Sequence, residues 1–113
     1  VLLPTLVLGA AGGTMPAPGA AISALLVDAV KGGDLATAAK LHALHSEMPA
    51  RWVDHGLVAV MKVSLRALGL DCGATYPPFG AVPPEHVAEI EAFWKNALAQ
   101  FPALRYEPAL APR

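Results

Sequence analysis

Val1-Leu2-Leu3-Pro4-Thr5-Leu6-Val7-Leu8-Gly9-Ala10 followed by Ala11-Gly12-Gly13-Thr14-Met15-Pro16 is the stretch on which the fold turns. Its first ten residues read as the tail of a helix that stops near Gly9. Gly12-Gly13-Thr14-Met15 then reads as a short buried strand opened by two glycines, and helix, turn, strand is the step that builds an α/β fold. Everything from Val1 to Val27 is neutral and mostly apolar, the first charged side chain being Asp28. Neutral runs of this kind suit a strand covered on both faces. Pro4, Pro16 and Pro18 with Gly9, Gly12, Gly13 and Gly19 cut the run into pieces too short to cross a bilayer as one helix. A signal peptide needs a basic region before its apolar run, which this stretch lacks.

Outward from this stretch, the 113 residues are 55% hydrophobic and 15% charged with a net charge of -1, which suits a packed core and excludes disorder. Lys and Arg number 8 and are scattered, so no basic field points to nucleic acid. The single cysteine, Cys72, excludes an internal disulfide and a thiolate zinc site, and fits a reducing, cytoplasmic location.

The remainder is helical in pattern. Ile22, Leu25, Leu26, Ala29 and Val30 recur at helical spacing up to Gly32-Gly33. Asp34 follows as an N-cap for a helix with Leu35, Ala38, Leu41, Leu44, Met48 and Trp52 on one face, expected to reach about Asp54 with an interruption at Pro49. Leu57, Val60, Met61, Ser64, Leu65 and Leu68 make a third stripe that Gly69 closes. Asp71 to Pro84, rich in Gly and Pro, reads as an ordered loop pinned by Tyr76, Phe79 and Val82. Pro83-Pro84-Glu85 opens a last helix that buries Val87, Ile90, Trp94, Ala97, Leu98 and Phe101, with Glu91 paired to Lys95. Pro102 to Arg113 reads as a tail with little fixed structure. The domain expectation is residues 1–32, 33–101 and 102–113.

Individual residues offer incomplete chemistry. His42 and His45 stand three apart on a helix, but the metalloprotease pattern needs four and an adjacent Glu, so partly buried helix histidines are the better reading and no metal is expected. Asp54-His55 resembles half a triad, yet it lies at a helix end, where His interacts well with the terminal carbonyls. Cys72 follows Asp71, which discourages the thiolate, and reads as a packed structural thiol. Lys62 would be a Schiff-base nucleophile if an apolar site desolvated it, but it falls off the apolar stripe and shares a face with Arg66, which points to solvent. Gly12-Gly13 makes no dinucleotide fingerprint, and no cofactor is expected.

The order Leu3-Pro4, Leu8-Gly9-Ala10, Gly12-Gly13, Gly33-Asp34, an alanine-rich helix, His55-Gly56-Leu57 to Lys62, Leu68-Gly69-Leu70 and Pro78-Phe79-Gly80 resembles the C-terminal part of the dihydrodipicolinate synthase and N-acetylneuraminate lyase family. The match covers nearly all of residues 1 to 100. The resemblance implies an α/β fold, the end of a (β/α)8 TIM barrel: the tail of its seventh helix, its eighth strand near Gly13 to Met15, its eighth helix, and an appended helical extension. It implies a lyase or aldolase acting on a 2-keto acid such as pyruvate, without a cofactor and as a homotetramer. The imine-forming lysine and the assisting tyrosine of the family would lie upstream of Val1, so this stretch carries no catalytic residue of its own and packs against the N-terminal part of the same barrel. Lys62 matches a lysine of the helical extension. In such barrels active residues sit at the C-terminal ends of strands, which makes Gly13, Thr14 and Met15 the substrate-binding candidates. Pro16 stands where sialic acid lyases carry a serine, and Tyr76 where the family's loop carries an arginine; both depart from the pattern. The alternative is a non-catalytic helical interaction or oligomerisation module derived from the same barrel.

Overall fold

In the computed structural model, which describes residues 2–48 and 50–107, Leu2–Val7 forms a short first helix, α1. Leu2 and Leu6, four apart and therefore on one side, are its buried residues. Ala17–Lys31 is α2, entered through Pro16 and Pro18, whose missing N–H groups cost nothing in a first turn. Its backbone closes at Gly32-Gly33, where Gly33 has φ +75°, the left-handed conformation that a side chain would penalise. Asp34 caps the next helix, α3 (Leu35–Glu47), its carboxylate accepting from the Thr37 N–H at 3.0 Å. Hydrogen bonding from the Thr37 side chain, and next from this backbone N–H, lowers the Asp34 carboxyl below its ordinary value.

α3 stops well short of the expected Asp54. Met48 precedes Pro49 and takes an extended backbone, φ -60° and ψ 106°, as a residue before proline tends to do. A 3-10 helix, Ala50–His55, follows in place of the helix's last turns. Leu57–Ala67 is α4 and Pro84–Gln100 is α5, with a 3-10 turn at Pro102–Leu104.

The chain divides into two compact units, Val1–Pro49 and Ala50–Arg113. In the first, α2 and α3 pack together, burying Ile22 and Leu26 from one and Ala38, Leu41 and Leu44 from the other. Burying each of the larger side chains contributes about 2 kcal/mol. In the second, α4 packs on α5 around Trp94, Ile90, Val60, Leu65 and Leu68. Trp52 of the 3-10 helix meets Phe93 edge-on at 5.2 Å and is itself buried.

Three expectations need correction. No strand forms among the described residues: Ala10 to Met15 run without turn, bend or ladder between α1 and α2. The α/β reading, with Gly12–Met15 as the eighth strand of a TIM barrel, therefore fails, and the described chain is all-helical. A strand exists only through pairing, two glycines hold it weakly, and no other described segment pairs with this one. Of the three side chains expected to pin the loop over α4, Val82 is buried, whereas Tyr76 is 82% exposed and Phe79 56%. The expected loose tail is ordered in its first part. Leu104 is buried, and the Tyr106 N–H donates to Leu68 O at 2.9 Å. Residues 108–113 of that tail lie outside the described residues. Among the described residues no helix is long and apolar enough to cross a membrane.

Candidate functional site

The segment singled out from the sequence borders a cleft of about 330 Å³ in the first unit. Gly13 and Met15 line it together with Ala20, Val27 and Asp28 of α2 and Leu2 of α1. Gly13 allows this closeness, because a Cβ there would sit 3.2 Å from Leu2 Cδ1. Thr14 is exposed while Met15 is half-buried against the cleft. Pro16 is exposed.

Ser23 and Asp28 are members of this lining that sequence reading did not single out. Ser23 is 7% exposed, and its Oγ is buried without a hydrogen-bond partner among the described residues. Asp28 is the lining's charged side chain. The signal available for them was helical spacing: Ala20, Ala24, Val27 and Asp28 fall on a face separate from the Ile22–Leu26 stripe.

His42 and His45 share α3 but part in environment. Burial, the largest cause, pushes the His45 imidazole below its usual value, and His42 adds to this. Its Nε2 is buried with no hydrogen-bond partner among the described residues, 3.5 Å from where a Cβ on Gly19 would lie. Among the described residues no three metal-binding side chains gather.

In the second unit, polar chemistry gathers where the loop crosses α4. The Lys62 ammonium donates to Cys72 O and to Ala74 O, each at 2.9 Å. Lys62 is half-buried, so the expected solvent-facing lysine is instead a clamp that joins a helix to a loop. The loop's own turn is held by Gly73 N–H donating to Asp71 Oδ1 at 2.8 Å and by Thr75 Oγ1 donating to Gly80 O at 3.1 Å. A smaller cleft of about 220 Å³ lies beneath, with Lys62, Arg66 and Asp71 in its lining. Arg66 pairs with Glu91 at 3.0 Å, so the helix's acid bonds across to α4 instead of to Lys95. Both partners are about half exposed, a setting worth less than 1 kcal/mol.

Cys72 is exposed and free, which corrects the expectation of a packed thiol; its Sγ meets only Leu70 O, at 3.9 Å. A side chain on a Gly-rich loop has no neighbouring element to cover it. His55 stacks on His86 at 3.9 Å, and His86 Nδ1 lies 3.8 Å from Glu89 Oε2, an arrangement distinct from the Asp–His pairing of a triad. Among the described residues, neither Lys62 nor Cys72 bonds to a side chain that could activate it as a nucleophile. No family model matches the chain, and neither the curated proteins nor the solved structures contain a match to it.

Proposed function

We propose that this chain is the helical C-terminal portion of a dihydrodipicolinate synthase-like lyase or aldolase, which makes or breaks a carbon–carbon bond of a 2-keto acid such as pyruvate. The observation that carries the reading is the ordered series of short motifs from Leu3-Pro4 to Pro78-Phe79-Gly80. The role of Lys62 supports it in one respect. A lysine whose ammonium is spent on two loop carbonyls is a fastening, which agrees with an imine-forming lysine supplied by polypeptide upstream.

On this reading the helices support the reacting part of the molecule and its subunit contacts in a cytoplasmic homotetramer that needs no cofactor. Of the substrate-binding candidates, Thr14 offers an exposed hydroxyl to a keto acid, while Gly13 and Met15 shape the backbone behind it. Incubating the intact gene product with pyruvate and borohydride should add one reduced pyruvate to a lysine outside residues 1–113. Absence of an adduct, or an adduct on Lys62, overturns the reading.

A second reading, a non-catalytic interaction or oligomerisation module, is favoured by the exposed aromatic pair Tyr76 and Phe79 on a loop held by Lys62. It predicts a defined oligomer by light scattering that Tyr76→Ser with Phe79→Ser dissociates, together with no pyruvate adduct.

A further inference from the structure

His45 Nε2 is a buried polar atom with no hydrogen-bond partner among the described residues. Folded proteins leave few such atoms, and each calls for an occupant. The space in front of it exists because residue 19 is glycine: a Cβ there would lie 3.5 Å from His45 Nε2, 3.1 Å from Met48 Cε and 3.8 Å from Met15 Cβ. An imidazole nitrogen and the end of a thioether thus lie within 4 Å of one point beside α2, and Met15 walls another side. His45 and Met48 are held together at the end of α3, where the Met48 N–H donates to His45 O at 3.3 Å. Met48 has three rotatable side-chain bonds, so its sulfur can turn toward Nε2 without backbone movement.

The donor types select the occupant. A thioether beside an imidazole suits a soft monovalent cation, Cu(I) or its chemical analogue Ag(I), whereas zinc and harder ions take thiolates, several imidazoles or carboxylates. Among the described residues no three His, Cys, Asp or Glu side chains gather, so the donors for a harder ion are not assembled. We propose that His45 Nε2 and the Met48 thioether form a binding site for a soft monovalent cation in the space that Gly19 leaves between α2 and α3. The ion is bound in the oxidation state in which it arrives, and no electron is transferred. It takes no part in keto-acid chemistry and touches neither the Thr14 hydroxyl nor Lys62, so a failure here leaves the pyruvate result untouched.

The probe is silver nitrate, added in chloride-free buffer to the full chain labelled with ¹³C-methyl methionine. The chain carries Cys72→Ser, which removes an exposed thiol that would take silver first. Saturation at one equivalent is expected, with the Met48 methyl signal shifted and that of Met61, the third methionine, on α4, unmoved. Met48→Leu, close in volume, and His45→Gln should each weaken binding by about tenfold or more, since loss of even an outer-shell partner of a metal site costs about 10–100-fold. His42→Gln should leave the affinity unchanged, and zinc acetate should not move the Met48 methyl. No shift at Met48, an equal shift at Met61, undiminished affinity in Met48→Leu or His45→Gln, the same Met48 shift with zinc, or equal weakening by His42→Gln, the mark of a plain surface histidine pair, would each overturn the proposal.

Discussion

Replacing Lys62 with Met keeps the aliphatic stem and removes only the ammonium, so the substitution isolates the clamp. Two charge-assisted bonds are lost, to Cys72 O and Ala74 O, both at 2.9 Å. Hydrogen bonds to charged groups contribute about 1.5–3 kcal/mol each where water is excluded. Here Cys72 and Ala74 are exposed, so water replaces the lost donor and no carbonyl is stranded. The expected loss is therefore about 1–2 kcal/mol for the pair, well under the sum for two buried bonds. Both tryptophans, Trp52 and Trp94, are buried in the second unit, so intrinsic fluorescence during urea unfolding reports on that unit. With a slope of about 1 kcal/mol per molar urea for a unit this small, the midpoint should fall by about 1–2 M at unchanged slope. Backbone amides of residues 73–75 should also exchange faster. An unchanged midpoint together with unchanged exchange in the loop would refute the clamp.

Gly69→Ala should destabilise the same unit by about 1–2 kcal/mol: Gly69 has φ +105°, and an added Cβ would sit 3.1 Å from Tyr106 O, a backbone atom that cannot swing aside. Fluorescence-detected melting that matches the unaltered chain would contradict this. For the first unit, burial lowers the His45 imidazole in the folded state, whereas unfolded chain takes up a proton near the ordinary histidine value of about 6.5. The unfolded state binds more protons just below that pH, so this contribution is complete above about 6.5 and fades as the pH falls toward the lowered folded value. Amide exchange at Leu41 and Leu44 should accelerate over that interval, and His45→Gln should flatten the dependence; an unaltered slope in the variant would assign the effect elsewhere.

The helices were legible because their signals are local. The Asp34 cap, the Gly33 stop, the Pro83-Pro84 entry and the Ile22–Leu26 and Ile90–Trp94–Ala97 stripes can each be read within a turn or two of chain, and each stands in the structure. The apolar spacing from Leu35 to Trp52 reads as one helix, but the backbone turns extended at Met48, and Trp52 is buried in the second unit against Phe93. Tyr76 and Phe79 were misjudged for a related reason. Large aromatic side chains in a loop look like anchors, but whether anything stands opposite them is a property of distant residues.

At the candidate site, Gly13 and Met15 were found from the chain alone, whereas Ser23 and Asp28 join them only because α2 turns one particular face to the segment. Lys62 was placed correctly off the apolar stripe, yet its partners, ten and twelve residues away, depend on how the loop folds back.

What the sequence by itself determined is thus the main helices and their caps, consequences of short-range backbone preference. What only the tertiary structure decided is the state of Gly12–Met15, the fate of Cys72 and the work of Lys62. A strand, a packed thiol and a bonded ammonium are each defined by a partner remote in the chain, and residue identity at one position carries no record of whether that partner arrives.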